Sequence, residues 1–444
     1  MNKEIIEKKG LTPKDLFQFK KDLSKRPENK VISRAVMKNG VNGASEDIKE
    51  KRRLHREFSL ELKTSDVTNQ KQSGRCWEFA LLNTLRHQFE KNHQVKNFEL
   101  SENYLFFWDR VERANTFYHQ IIDTANRPLN DREIENYLQM VAGDGGQWQM
   151  AAAIVEKYGV VPNYVMPETF NTNQTHNFDS ILALKMKKDA LILRNLVSKS
   201  RPQNEILAKQ KQMVSEVYQM TAYSFGEPPS NFDVEYTDIN KKFHTIRNLN
   251  PQIFFQNEFN INLEDYVVIS NSPDKPFNKL YRLPSQENVI NGKQIKFLNS
   301  NMETLKRAAI KQLQHGETVW FGNDVLQQSN RKKGFLDSKL YRYSELFGLD
   351  LKITKAQRLK THQAQVSHAM VLTGVNIKGK KPDRWKVENS WGNKNGDNGY
   401  FVMTDDWMND FVYEVVIRKN YLTPIQRKVL QQKPVILEPW DPLA

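Results

Sequence analysis

The sequence predicts an α+β fold of two lobes, a helical lobe followed by a β-rich one, and three observations carry that prediction. Helical periodicity dominates the first ~60 residues and much of the stretch from 76 to about 222. From about 315 onward, short apolar runs rich in β-branched and aromatic residues take over. Helices first and strands later is the order expected of α+β architecture rather than of alternating βα units.

Thr12-Pro13-Lys14-Asp15 reads as an N-cap, a proline at N1 and an acid in the first turn, a helix start. Val67 to Gly74 is polar and turn-rich. Trp77, Leu81, Leu85 and Phe89 then recur every fourth residue, an apolar stripe along one helix that begins close to Cys76. Residues 101–160 read as further helix, interrupted at Gly143-Asp144-Gly145-Gly146. The stretch from ~170 to ~300 is mixed, helical around 179–222 and then more broken. Thr318-Val319-Trp320-Phe321, Ala369-Met370-Val371-Leu372 and Tyr400-Phe401-Val402-Met403 read as strands.

A chain of 444 residues has room for two or three domain-sized units, or for one large fold with insertions. Its 39% hydrophobic content supports a core, and nothing in its composition suggests disorder, collagen or a solenoid. Met1 to Gly10 is charged and lacks the apolar stretch of a secretory leader. No apolar run approaches the roughly 20 residues needed to span a bilayer, so no membrane association is expected. The single cysteine rules out an internal disulfide and fits a reducing compartment, the cytoplasm. The net charge of +14, with basic clusters at Lys51-Arg52-Arg53 and at Lys378, Lys380 and Lys381, makes a nucleic-acid-binding protein the rival reading. No nucleic-acid motif accompanies that charge, so a solvated surface is the expectation.

The chemistry gathers around Cys76. In Ser73-Gly74-Arg75-Cys76-Trp77 a loop enters a helix, and the partial positive charge at a helix N-terminus favours thiolate over thiol. Arg75 is a further candidate contributor to that effect. Among nine histidines, His368 opens the apolar run Ser367-His368-Ala369-Met370-Val371-Leu372. Alternation along Arg384-Trp385-Lys386-Val387-Glu388-Asn389 puts Asn389 on the face of Trp385 and Val387, where an amide requires a partner. An imidazole N–H would serve, giving a nucleophile, a base and an orienter. Neither an HExxH pattern nor paired-cysteine metal spacing occurs, so no metal or other cofactor is expected.

Gln70, Gly74-Arg75-Cys76-Trp77, Ser367-His368-Ala369 and Asn389-Ser390-Trp391-Gly392 together resemble the papain superfamily in identity and order. Leu100-Ser101-Glu102 and Asp144-Gly145-Gly146 resemble further papain-type segments. The resemblance implies Cys76, His368, Asn389 and Gln70 as catalytic residues, with Gln70 in the oxyanion hole. It also implies that the Gly145–Gly146 backbone binds extended substrate and that Trp391 shields the His368–Asn389 bond. Ser73 stands where secreted members carry a disulfide cysteine. His368 lies 292 positions beyond Cys76, against the ~130–150 of ordinary papain-like enzymes, so roughly 150 residues are inserted.

With Asp144-Gly145-Gly146-Gln147-Trp148 and Tyr158-Gly159-Val160-Val161-Pro162, the chain is similar to the bleomycin hydrolase and bacterial aminopeptidase C family of papain-like peptidases. The implied organisation is an N-terminal arm (1–60), a helical lobe with the nucleophile (61–170), an inserted mainly helical region (171–310), a β-rich lobe with His368 and Asn389 (311–420) and a C-terminal arm (421–444). The resemblance further implies peptide substrates and a cytoplasmic homo-hexamer enclosing its active sites. In that family a terminal carboxylate, here that of Ala444, meets the substrate's free amine and restricts the enzyme to aminopeptidase activity. The usual ending Trp-Asp-Pro-Met-Gly-Ala-Leu-Ala is three residues longer than Trp440-Asp441-Pro442-Leu443-Ala444. If extended, the missing residues withdraw the carboxylate by roughly 10 Å, which would permit oligo-endopeptidase cleavage. Both readings stand at this point.

Overall fold

Thr12 begins the first described helix, Pro13–Ser24, by a reciprocal cap. The Asp15 N–H donates to the Thr12 hydroxyl at 3.3 Å, and the Thr12 N–H donates to the Asp15 carboxylate at 2.8 Å. The computed structural model describes residues 10–444. The segment Met1–Lys9, most of the charged run that lacks a leader's features, lies outside the described residues. Up to Arg53, together with Lys339–Ile353, the described residues form one unit, in which the helix Glu28–Ser45 breaks at Gly40 and Arg342 binds Glu50 at 2.9 Å.

The second unit, Leu54–Ser338 with Thr354–Ala444, holds both lobes. Its helical part contains Cys76–His93, Glu102–Asp123, Arg132–Met140 and Trp148–Tyr158, with Thr175–Ser198 and Gln203–Phe225 packed on Glu102–Asp123. The stripe Trp77, Leu81, Leu85 and Phe89 is wholly buried, and so are Phe79, Ala80 and Leu82 on the other sides. The helix is buried all round near its start because it is wedged between the sheet and other helices.

A twelve-stranded sheet forms the β-rich part. From one side its main strands run Lys279–Arg282, Lys296–Asn299, Tyr266–Ser270, Val412–Arg418, Val319–Asn323, His368–Lys378, Lys381–Glu388 and Tyr400–Thr404. The first three of these come from the 171–310 region, which therefore supplies sheet as well as helix.

Alternation splits the sheet's side chains between two cores. Met370, Leu372, Phe321 and Val415 face one, and Ala369, Val371, Trp320 and Val416 face the other, which also contains Cys76 and Trp77. Among the described residues no helix is long and apolar enough to cross a membrane.

Candidate active site

The sheet and the nucleophile helix meet through two short pairings. The Gln70 N–H donates to the Ser390 carbonyl at 2.8 Å and the Gly392 N–H to that of Thr68 at 3.0 Å, which zips the loop before Cys76 to the segment after Asn389. The buried Glu388 carboxylate accepts from Arg86 at 3.0 Å and pairs with His87 at 2.7 Å, so that the helix carrying Cys76 grips the strand ending beside Asn389. Residues 320 positions apart in sequence thereby share one site.

His368 Nε2 lies 2.8 Å from Asn389 Oδ1, which also accepts the Ser390 N–H at 2.8 Å. An oxygen that already accepts from a backbone N–H calls for a donor on the ring, so Nε2 carries the hydrogen and Nδ1 is left as the basic nitrogen. Trp391 stacks on this ring, centroids 4.6 Å apart and planes 27° off parallel. Gln70 is clamped: its Nε2 donates to the Ser73 carbonyl at 2.6 Å, and the Ser390 hydroxyl donates to its Oε1 at 2.6 Å. One Nε2 hydrogen remains for another acceptor.

Cys76 opens the helix Cys76–His93, and the residue is 8% exposed. Burial pushes its thiol up to about 11; the negative charge of Asp144 adds to this, while the backbone N–H groups of Ala369, Trp77 and Cys76 itself act the other way. Desolvation of an isolated charge thus opposes the thiolate that the helix start favours. Arg75 is turned away from the sulfur, its buried guanidinium paired at 2.6 Å with a partly exposed Glu168.

Asp144 organises the nucleophile loop, a role that its place in a glycine-rich run does not announce. Its carboxylate accepts from the Gly74 N–H and the Thr175 hydroxyl, each at 2.5 Å, and its carbonyl accepts from Trp77 Nε1 at 2.9 Å. A Cβ on Gly74 would stand 2.2 Å from that carboxylate, and one on Gly146 would stand 2.7 Å from the Trp77 ring. Gly145 has open space where its Cβ would be, and its carbonyl accepts from Arg113 at 2.6 Å.

The chain's end lies beside these glycines. Gln147 Nε2 donates to the Leu443 carbonyl at 2.9 Å, Lys275 pairs with Asp441 at 3.0 Å, and Arg132 stacks 3.9 Å from the Trp440 ring. The Ala444 N–H donates to the Asp441 carbonyl at 2.7 Å, so the last residues turn rather than run extended. Among the described residues, no group of three or more His, Cys, Asp or Glu side chains is arranged to hold a metal ion.

Burial lowers the His368 imidazole to about 4, with the Asn389 bond opposing. The unfolded chain's imidazole titrates near its ordinary ~6.5, so between these values the unfolded state binds the extra proton. This contribution to stability is intact above about pH 6.5 and is lost towards pH 4, with a slope of at most ~1.4 kcal/mol per pH unit. His368→Asn should therefore lose less stability than the wild type between pH 7 and 4.5, as measured by urea midpoints at the two pH values.

This architecture, with a thiol at a helix start facing a histidine strand, is papain-like and defines a cysteine-type peptidase. The chain belongs to the Peptidase C1-like family, whose model matches residues 10–444. It is 50% identical to aminopeptidase G of Lactobacillus delbrueckii subsp. lactis, over 98% of this chain and 99% of the relative. It is 51% identical to aminopeptidase E of Lactobacillus helveticus, with the same coverage. The crystal structure of PepW from Lactobacillus rhamnosis HN001 superposes with a TM-score of 0.96 at 46% identity, covering 98% of each chain. The bacterial aminopeptidase branch implied by the sequence motifs is the one in which these relatives fall.

Proposed function

We propose that the chain is a cytoplasmic cysteine aminopeptidase of short peptides working through Cys76, His368 and Asn389. The observation that carries this reading is the 2.8 Å bond from His368 Nε2 to Asn389 Oδ1 beneath Trp391, which leaves Nδ1 as the proton acceptor. Burial opposes a lone thiolate and a lone imidazolium, but formed together the two charges neutralise each other, so the proton passes from Sγ to Nδ1 rather than to solvent. The thiolate attacks the peptide carbonyl, and Gln70 Nε2 with the Cys76 N–H receives the oxyanion. The His368 imidazolium protonates the leaving amine, then the neutral ring activates water to hydrolyse the thioester. The lone cysteine supports a reducing compartment. The relatives' names support the aminopeptidase assignment.

A second reading, oligo-endopeptidase, is favoured by the turn that closes at Ala444, which keeps these residues from running extended along the cleft. Paired peptides differing only in N-terminal acetylation separate the two. An aminopeptidase should cleave the free peptide and leave the blocked one essentially intact. Comparable kcat/KM on both would overturn the aminopeptidase reading in favour of internal cleavage.

A further inference from the structure

Trp391 touches a cation as well as the His368 imidazole. The guanidinium carbon of Arg331 lies 6.0 Å from the Trp391 ring centroid, and the same indole stacks on His368 at 4.6 Å. Arg331 is exposed, and among the described residues no carboxylate or carbonyl engages its guanidinium. Lys332 beside it and Lys394, on the loop that Trp391 opens, are likewise without an acid. Asp397 is the one acid of these two loops, and its charge bears on Arg56. An arginine seated at an indole with no acid beside it is a receptor for an anion rather than half of an ion pair.

The fold holds this arginine in place. Arg331 sits in the turn between the short strands Ser329–Asn330 and Phe335–Leu336. The Gly396 N–H donates to the Lys332 carbonyl at 3.0 Å, and Arg56 bridges the carbonyls of Lys333 and Tyr400 at 2.8 and 2.9 Å. A Cβ on Gly334 would stand 2.6 Å from Gly396 Cα, so the turn and the loop after Trp391 meet backbone to backbone.

The fragment that leaves on cleavage passes this point. In the proposed mechanism His368 Nδ1 hands its proton to the leaving amine, so that nitrogen lies against the imidazole. With the acyl part along Gly145 and Gly146, on the Trp77 side of Cys76 where the Leu443 carbonyl also lies, the leaving fragment continues the other way, past the imidazole and its stacked indole. The two ring contacts set the guanidinium within about 11 Å of the imidazole, a span that two extended residues and one hydrogen bond cover.

We propose that Arg331 receives the C-terminal carboxylate of the leaving fragment, which selects fragments of one or two residues that end in a free carboxyl group. The inference rests on the reading of Cys76 and His368 as nucleophile and base. A planar guanidinium matches a carboxylate with two parallel hydrogen bonds, a geometry that an ammonium lacks. Lys332 and Lys394 add positive charge to the same rim.

The test compares peptide acids with their C-terminal amides on the full chain and on Arg331→Gln, with leaving fragments of two and of five residues. The acyl side is the same throughout, and mass spectrometry of the products confirms the cleaved bond. Ratios of kcat/KM within one sample are independent of the folded fraction.

The wild type should favour the acid about fivefold at two residues, the scale of a partly solvated ion pair, and less than about twofold at five. Arg331→Gln should bring the two-residue ratio close to one, and Arg331→Lys should keep only part of the preference. An acid preference that survives Arg331→Gln, or that the wild type lacks, would overturn the proposal. So would an equal preference at five residues, the mark of a diffuse field from a basic rim. Hydrolysis that survives Cys76→Ala would instead remove the nucleophile reading, so the two failures are distinguishable.

Discussion

Cys76→Ala is expected to lower kcat for peptide hydrolysis by about six orders of magnitude, the scale on which a covalent nucleophile contributes to acyl transfer. The loss is chemical rather than structural. The residue is 8% exposed at the start of a well-packed helix, and its neighbours Trp77, Ala80 and Leu81 bring their own burial. Alanine leaves a void of about one sulfur atom, which costs on the order of 1 kcal/mol, small against a domain's stability. Circular dichroism and the urea midpoint should therefore stay near the wild-type values while turnover vanishes. The comparison discriminates against a basic nucleic-acid-binding protein with an incidental cysteine, in which no hydrolysis would depend on this sulfur. Retention of even a hundredth of wild-type kcat by a preparation free of contaminating peptidase would sink the assignment. The residual rate should come from the Gln70 amide and substrate binding alone, which remain in place because Ser73 and Ser390, not Cys76, hold that amide.

What the sequence made legible was local. The every-fourth-residue stripe marked the helix Cys76–His93, and the apolar run after Ser367 marked the strand that begins at His368. Alternation from Trp385 placed Asn389 where an imidazole could meet it, because face is a period-two property that needs no partner strand to read. What stayed hidden was set by distance along the chain. The strand Tyr266–Ser270 was illegible as sheet because its register comes from Val412–Arg418, well over a hundred residues away. The thiol's surroundings stayed hidden for the same reason. A helix start can be read from five residues, whereas the burial and the Asp144 charge that oppose a lone thiolate arrive through the fold. The turn from Asp441 to Ala444 is one that its residues do announce: the Leu443 N–H donates to Asp441 Oδ1 at 2.9 Å, the Asx turn that an Asp-Pro pair favours.

Arg75→Ala is expected to destabilise the fold by about 3 kcal/mol, the cost of removing a buried guanidinium with its hydrogen bonds from a pair whose carboxylate is partly solvated. Arg75 is 0% exposed. Its fork binds both Glu168 oxygens, at 3.0 and 2.6 Å, and it also donates to the Thr172 carbonyl at 2.7 Å and to the Ser73 hydroxyl at 3.1 Å. Its guanidinium carbon lies 5.2 Å from the Phe79 ring centroid and 5.3 Å from that of Phe106. Truncation removes four hydrogen bonds and two ring contacts, and leaves Glu168 without its cation. Glu102 loses a neighbour too: burial and then the Glu168 charge already raise its carboxyl well above the usual range, and Arg75 is among the groups that counter this. Arg75→Lys keeps a charge but cannot form the bidentate fork, so it should recover less than half of the loss. Urea denaturation of the three proteins should rank them in that order, and an Arg75→Ala midpoint within 1 kcal/mol of wild type would show that the pair is dispensable. A second measurement separates this architectural role from the one its sequence position suggested. An arginine turned towards Glu168 does not bear on the sulfur, so the pH at which Cys76 alkylation by iodoacetamide is half-maximal should be the same in Arg75→Lys as in the wild type. A marked upward shift would mean that Arg75 supports the thiolate after all, against the direction in which its side chain points.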